Sequence, residues 1–242
     1  LGIDQDEEVL VLAKKSLGDY HKRIVFERGN FIEVGEAIKK HKIKKVFGVL
    51  YDLGLSSYQI EKDARGFSFQ REGPLDMRMD LSKTTKCADI INREREEELA
   101  RILKEYGEER MSRRIAREIV KNRPIRTTIE LANLVARAIG GRRGKIHPAT
   151  RTFQALRIAV NDELSALTES LDNIFPYVAS CGRIVVISFH SLEDRIVKRR
   201  FKEWQKEEVF KILTKKPLRP TPEEVEENPR ARSAKFRGGE KV

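Results

Sequence analysis

The sequence has few cysteines and no long apolar run, and these shortages exclude several classes of protein. Its two cysteines, Cys87 and Cys181, have no metal-binding or redox spacing, so no disulfide framework is expected. The four histidines show no ligand spacing either, and we expect no metal site. No apolar stretch approaches the roughly 20 residues of a membrane-spanning helix. These absences predict a cytoplasmic protein without a membrane partner.

Charge is what the chain has in excess. Charged residues make up 36% of its 242 residues, and the net charge is +11. Residues 101–157 hold 15 Lys and Arg against 5 Asp and Glu, which accounts for most of that surplus. Arginine outnumbers lysine in this window, which favours phosphate recognition over simple solubility. We therefore expect a nucleic-acid partner, with a set of solvated helix faces as the alternative interpretation.

The hydropathy pattern predicts an α/β protein with a helical insertion. Strand and helix patterns alternate up to Asp52, which is typical of a parallel sheet with right-handed crossovers. From Asp89 to Ile139 the apolar spacing is helical, and a capping box begins at Thr127. One long helix from about Ala149 to Phe175 is expected to lead back to the sheet. The predicted parts are a first sheet part (1–83), a helical insertion (84–148) and a second sheet part (149–242), which ends in an antiparallel hairpin of residues 209–213 and 234–236.

The run from Val49 to Asp80 is the densest in residues suited to chemistry. A short apolar strand delivers Asp52 into a turn that contains Gly54, where the backbone leaves room for a ligand. A carboxylate there can hold a substrate amine by accepting its hydrogens. The alternative is an acid that only stabilises the turn.

Three further candidates follow predicted strands. Asp4 ends the first strand, where doubly wound folds bind ribose hydroxyls, and the alternative is a capping or loop acid. Phe31 follows the second strand and can flank an adenine ring, or it can instead staple the start of a helix. His190 follows a later strand, and a structural or substrate-positioning role is favoured there over a catalytic base.

Two further groups are candidates for RNA contact. Arg78 stands between Met77 and Met79, and we expect both methionines to anchor the loop on the core while Arg78 contacts RNA or a carboxylate. A basic loop within the helical insertion offers Arg142, Arg143 and Lys145 to phosphates.

Six segments of the chain resemble the signatures of one known family, the ribosomal RNA small subunit methyltransferase H, or MraW, family. They are residues 52–57 (DLGLSS), 65–69 (RGFSF), 73–80 (GPLDMRMD), 147–157 (HPATRTFQALR), 188–195 (SFHSLEDR) and 228–233 (NPRARS). The six occur in the family's order and span nearly the whole chain, so a chance match is excluded in practice.

The resemblance implies a Rossmann-like class I methyltransferase that depends on S-adenosylmethionine and carries an inserted all-helical domain. Its members methylate N4 of one cytidine in the decoding region of 16S ribosomal RNA, so the small ribosomal subunit is the expected partner. The family's cofactor contacts match Asp4, Phe31, Asp52 and Gln59, and Asp52 is also the candidate catalytic residue. The expected RNA or substrate contacts are Arg78, Arg142, Arg143, Lys145, Arg151 and His190.

The resemblance also predicts a strand and a glycine-rich loop ahead of Leu1, and without them the chain would be a non-catalytic RNA-binding fragment. That fragment is the alternative to the enzyme. A hydrolase that uses His190 is a third function, and it ranks far behind because no Gly-x-Ser-x-Gly nucleophile elbow is present. The sequence leaves the oligomeric state open, with a homodimer among the alternatives.

Overall fold

The computed structural model describes residues 1–141 and 147–242, and it confirms the α/β class. The strands are β1 (Gly2–Asp4), β2 (Phe26–Arg28), β3 (Val46–Asp52), β4 (Val178–Ser188), β5 (Phe210–Ile212) and β6 (Lys235–Lys241). The helices are α1 (Glu7–Ser16), α2 (Val34–Lys40), α3 (Ser57–Glu61), α4 (Cys87–Arg93), α5 (Glu96–Gly107), α6 (Ser112–Lys121), α7 (Thr128–Ala138), α8 (Thr150–Asn161), α9 (Glu163–Ile174), α10 (Ser191–Lys206) and α11 (Pro222–Glu227). Within these ranges no helix is long and apolar enough to cross a bilayer.

The chain folds into two compact units. The sheet unit consists of residues 1–5, 14–54 and 164–242, and the helical unit consists of residues 6–13 and 55–163. The predicted insertion (84–148) falls within the helical unit, which extends further along the chain on both sides. Its limits as a separate domain stay a prediction.

The described strands form two sheets within the sheet unit. β1 pairs with β2 in parallel, and the second sheet has the order β3-β4-β6-β5. β3 runs parallel to β4, whereas β6 is antiparallel to both of its neighbours. The predicted antiparallel pairing of the two carboxyl-terminal strands is confirmed, but residues 210–212 pair with 239–241 and not with the predicted 234–236. The predicted parallel strands are present, but among the described residues β1 and β2 form a sheet apart from β3, whose only hydrogen-bonded strand is β4.

β3 is only partly covered by the rest of the sheet unit. Phe47 is 76% exposed and Leu50 is 66% exposed, although both belong to the apolar run that predicted this strand. A groove of about 250 Å³ with both polar and apolar surface follows β3 and reaches Asp52 at its end. An uncovered strand edge is open to pairing with another chain segment.

Stacked aromatic rings hold α10 on the second sheet. The rings of Phe175 and Trp204 stack with centroids 4.2 Å apart, and Phe210 packs against both Phe201 and Trp204. Each such pair contributes about 0.5–1.5 kcal/mol beyond the burial of its surface. Since these rings all face the sheet, the orientation of α10 is set, and so is the side of the helix that meets solvent.

The helical unit is built as the apolar spacing predicted. The predicted apolar residues of α5 and α6 that are buried in one core are Leu99, Ile102, Leu103, Ile115 and Ile119. Met111, which the spacing also placed on this face, is 39% exposed because it precedes α6 as its N-cap. At the start of α7, Thr127 Oγ1 accepts a hydrogen bond from the Glu130 amide, and Glu130 Oε2 accepts one from the Thr127 amide. This capping box satisfies two backbone groups that the helix itself cannot, so the predicted start is confirmed.

The single helix predicted from Ala149 to Phe175 is wrong. The chain breaks it into α8 and α9 at Asp162, which has a left-handed backbone with φ of 54°. Asn161 just before the break accepts a hydrogen bond from the Met79 amide and donates one to the Met77 carbonyl, both at 2.8 Å. Both methionines are buried, so their predicted anchoring of the loop is confirmed. The helix ends where Asp162 takes up a left-handed backbone conformation, which Asp tolerates better than most residues.

One buried guanidinium organises the segment between residues 65 and 80. Arg65 is 3% exposed, with Nη2 2.6 Å from Asp6 Oδ2 and Nη1 donating to Glu8 Oε2 at 2.9 Å. Nη2 also donates to two carbonyl oxygens further along the same segment. The guanidinium therefore ties the loop to the residues at the start of α1 through charge-assisted bonds in a site without water access.

We expect Arg65→Ala to lower the free energy of unfolding by about 3–5 kcal/mol, because the Asp6 carboxylate is then buried without its partner. Urea unfolding monitored by circular dichroism measures this loss. The control is Arg71→Ala, since Arg71 is 61% exposed and lies 3.6 Å from Asp63; its loss is expected to stay below about 1 kcal/mol. Equal losses in the two variants would contradict a special role for Arg65.

Candidate active site

Asp52 stands at the carboxyl edge of the parallel β3–β4 pair. The register pairs Asp52 with Ile187, and the Leu53 amide donates to the Ile187 carbonyl at 3.0 Å. Gly54 follows with φ of 96°, in the left-handed region that favours glycine. A Cβ atom there would lie 3.6 Å from the Phe189 ring, in ordinary contact, so the backbone conformation is what favours glycine. The turn after β3 therefore presents Asp52 where α/β sheets bind their ligands.

The Asp52 carboxylate is solvent-accessible but incompletely hydrated. The protein around it removes part of its hydration, and this desolvation raises the pKa of Asp52 above the usual value of 3.8. A raised pKa strengthens a carboxylate as an acceptor of hydrogens at neutral pH. The site is thus suited to hold a polar N–H group.

A chain of buried hydrogen bonds fixes Phe31. Tyr51 of β3 donates its hydroxyl to Ser170 Oγ at 2.7 Å, and Ser170 in turn donates to the Phe31 carbonyl at 2.8 Å. The rings of Phe31 and Tyr51 meet edge to face with centroids 6.0 Å apart. Burial raises the pKa of Tyr51 to about 12, so its hydroxyl stays a donor at every physiological pH.

Sequence reasoning missed Tyr51 and Ser170 as supports of this site. Tyr51 lies in the strand that ends at Asp52, and a hydroxyl among apolar neighbours is a signal of a buried hydrogen bond. Ser170 has no local signal, because it lies 139 residues from the carbonyl that it binds.

Asp4 ends the other parallel pair, β1–β2. It is half-buried and in register with Arg28, and the Gly29 amide donates to the Asp4 carbonyl at 3.1 Å. Asn30 begins the turn that carries Phe31 and caps it by accepting from the Ile32 amide. The structure therefore brings Asp4 and Phe31 to the carboxyl edge of one strand pair. Phe31 and Asp52 line the same groove of the sheet unit.

Gln59 lies in the helical unit, where both polar atoms of its side-chain amide form hydrogen bonds. It is buried, with Oε1 accepting from the Ser56 amide and Nε2 donating to Asp6 Oδ2 at 2.7 Å. Burial raises the pKa of Asp6, but the hydrogen bonds from Arg65 and Gln59 outweigh it and leave that pKa below its usual value. Gln59 thus holds the buried ion pair, and its predicted cofactor contact stays a prediction.

His190 caps α10. Its Nδ1 accepts from the Glu193 amide at 3.4 Å, and Glu193 Oε2 accepts from the amides of Phe189 and His190. The imidazole is 9% exposed, with Nε2 3.3 Å from the other Glu193 oxygen. This geometry supports the structural role of His190, and its contact with substrate stays a prediction.

The arginines expected to bind RNA differ in their surroundings. Arg78 is engaged by Asp76, which accepts from Nε and Nη2 at 2.8 Å each, and by two loop carbonyls. The carboxylate contact, one of the two predicted partners, is present within the chain, and a contact of Arg78 with RNA stays a prediction. Arg151 is exposed and donates to the Glu108 carbonyl at 3.1 Å. The predicted contacts of Arg142, Arg143 and Lys145 lie outside the described residues.

Comparison with known proteins decides the family of this chain. The sequence model of the MraW methylase family matches residues 1–242. The chain belongs to the MraW methylase family. The fold agrees with the Rossmann-like fold expected for such a methylase, since it has parallel strands joined by helical crossovers and has Asp52 at the carboxyl end of a strand.

Similar members of the MraW family come from several bacteria. A protein of Thermotoga neapolitana is 51% identical, one of Kosmotoga olearia 48% and one of Sulfurihydrogenibium 46%. The matches cover 100% of this chain and 81%, 82% and 84% of those proteins. Each of the three is named ribosomal RNA small subunit methyltransferase H.

Asp52→Asn is expected to raise the free energy of unfolding at pH 7 by less than about 1 kcal/mol, discounted for the exposure of this carboxyl. The folded pKa is raised, so ionised Asp52 weakens the fold above the usual pKa of 3.8, and the difference disappears below it. Urea unfolding of the wild-type protein and the variant measures the stability difference at pH 7 and its disappearance at pH 3.5. Asp19→Asn, at an exposed aspartate of the sheet unit, is the control. If Asp52→Asn is less stable than the wild-type protein at pH 7, the desolvation of Asp52 is contradicted.

Proposed function

We propose that this protein transfers a methyl group from S-adenosylmethionine to N4 of a cytidine in the decoding region of 16S ribosomal RNA. The observation that carries the proposal is an exposed carboxylate at the end of a parallel strand pair, in a chain that matches a methylase family over residues 1–242. The names of its relatives supply the substrate, the RNA of the small ribosomal subunit. The free cysteines favour the cytoplasm, where that subunit is assembled.

The side chains of the sheet unit fit S-adenosylmethionine. Asp4 offers a carboxylate at a strand end, which suits the two hydroxyls of a ribose. Phe31 offers a ring held by the Tyr51–Ser170 chain, which suits an adenine. When bound, the cofactor supplies an electrophilic methyl group on a sulfonium. The chain's own residues must then orient the nucleophile.

Asp52 addresses the weakness of that nucleophile. The lone pair of a cytosine amine is delocalised into the ring, so the nitrogen attacks only after it leaves the ring plane. Asp52, or a backbone carbonyl just after it, would accept hydrogen bonds from the amine and favour that geometry by positioning and electrostatics. As N4 gains the methyl group and the bond from that methyl to sulfur breaks, N4 would release one proton to Asp52 or to water. The target base has to leave its stack to reach this edge of the sheet.

The helical unit supports RNA binding by its exposed arginines. On α6, Ile115 and Ile119 are buried, while Arg113, Arg114 and Arg117 are exposed. The helix thus turns its cations outward in one row, as contacts to a phosphate backbone require.

The first test incubates the 242-residue protein with labelled S-adenosylmethionine and unmodified small ribosomal subunits, and then digests the RNA to nucleosides. We expect the label in N4-methylcytidine. Label in another nucleoside contradicts the assigned atom. RNA binding without any label favours the alternative of a non-catalytic RNA-binding fragment.

The second test separates the roles of Asp52 and Phe31. Asp52→Asn is expected to lower turnover at saturating cofactor by roughly 10²-fold or more, as loss of a positioned charge-stabilising group does. Phe31→Ala is the comparison, and it is expected to weaken cofactor binding, measured by calorimetry, with less effect on turnover at saturation. Unchanged turnover in Asp52→Asn with unchanged cofactor affinity contradicts the catalytic role of the carboxylate.

A further inference from the structure

The sheet unit has a second cavity, of about 310 Å³, far along α10 from the candidate active site. Its lining residues are Lys198, Phe201, Lys202, Gln205, Ile212, Lys215 and Arg237. They come from α10, from β5 and the turn after it, and from β6. The volume is at the lower end of the range that ligand sites occupy, about 300–1,000 Å³.

Helical spacing puts the α10 contribution on one face. Lys198, Phe201, Lys202 and Gln205 follow each other at steps of three, one and three residues, which places them side by side. Phe201 is buried against the aromatic cluster and, with Ile212 from β5, forms an apolar floor. The lysines and the Gln205 amide surround that floor.

The cavity carries uncompensated positive charge. In the part of the chain that the structure describes, Lys198, Lys202 and Lys215 form no ion pair, and the cavity lining includes no acidic side chain. Arg237 is different, because Asp194 accepts from its Nε at 2.6 Å and from its Nη2 at 3.3 Å. Three free ammonium groups thus surround one concave site.

Fold stability does not account for this arrangement. Like charges gathered around one cavity repel each other and weaken the folded state. The acidic residue nearest in sequence, Glu203, is taken by Arg200 on another side of α10. Cations gathered around an apolar floor are instead suited to an anion that also has an apolar part.

We propose that this cavity binds the phosphodiester backbone of the RNA substrate, with a phosphate among the three lysines and a sugar or base edge on the floor. The inference rests on the proposed function and adds a binding site in the sheet unit. Lysine ammonium groups bind phosphate as point charges on flexible stems, so three of them can follow a phosphodiester backbone without the fixed geometry of a guanidinium fork. The one guanidinium of this lining is already held by Asp194.

The cavity is within reach of RNA engaged at Asp52. α10 begins directly after His190, at the sheet edge where Asp52 lies. Lys198 and Lys202 follow the first helical residue by seven and eleven positions, which is about 10 and 17 Å along the axis. A strand with its target base at the edge can therefore run its flanking nucleotides along α10.

The test compares two triple variants of the full chain. The cavity variant removes the three lysine charges of the lining by Lys198→Ala, Lys202→Ala and Lys215→Ala. The control variant removes the same number of charges outside the lining, from α10, β5 and the turn after β5, by Lys206→Ala, Lys211→Ala and Lys216→Ala. Binding to an unmodified 16S ribosomal RNA fragment is measured across a salt series, beside methyl transfer. Because one phosphate contact is lost, the slope of log affinity against log salt is expected to become shallower by about 1 in the cavity variant, and its affinity at low salt is expected to fall roughly tenfold. The control triple is expected to stay near the wild-type protein.

The outcomes separate this inference from the proposed function. Equal binding by the two triples, with a wild-type protein that methylates, overturns the cavity assignment alone. A wild-type protein that neither binds nor methylates the RNA overturns both. Binding to phosphatidylserine vesicles is measured for the same variants. If the cavity triple loses vesicle binding but keeps RNA binding, the cavity is assigned to a membrane surface and the RNA assignment is overturned. If the cavity triple does not fold, Lys198→Glu at its exposed helix position is expected to weaken RNA binding in the same direction, and unchanged binding overturns the inference.

Discussion

The parallel pairing of β3 with β4 is the constraint on which the candidate site depends. It sets Asp52 opposite Ile187, so that both strands end at one edge and the turn after each begins there. A slip of one residue would turn Asp52 to the other face of the sheet and bury a charge. The register is stabilised from the far side of β4, where aromatic rings hold α10 and where β6 pairs antiparallel.

Buried polar bonds then position what the strands present. Tyr51 and Ser170 hold the backbone at Phe31. In the helical unit, Asp6 and Arg65 form a buried ion pair, and Gln59 donates a hydrogen bond to Asp6. Such groups are costly to bury unless every partner is present, so each network specifies one arrangement of its loop. Side chains that a sequence motif suggests for ligand contact can therefore belong to the support of a site. The amide of Gln59 is an example.

Charge shows the same division between sequence and structure. Counted along the chain, the basic surplus belongs to residues 101–157, and the carboxyl-terminal part looks balanced. In the folded protein Glu203 pairs with Arg200, while three lysines collect around a cavity that has no acidic lining. Some arginines of suggestive position, such as Arg78, are neutralised by a neighbouring carboxylate. The net charge of a segment therefore does not by itself locate a basic surface. The ion pairs of the folded protein must be known as well.

The sequence by itself determined the fold class, the helical faces of α5 and α6, the capping box of α7 and the antiparallel pairing of the two carboxyl-terminal strands. Each of these is written in local periodicity or in residues three or four apart, and local physics decides them. It also determined the family, because six motifs in order identify it, and it marked Asp52 as the end of a strand. Only the tertiary structure decided the break between α8 and α9, the separation of the β1–β2 pair from β3 and the intramolecular partners of Gln59 and Arg78. These depend on partners far away in the chain, such as Asn161 for the Met77 loop and Asp6 for Gln59. No window of sequence contains both members of such a pair in a recognisable spacing.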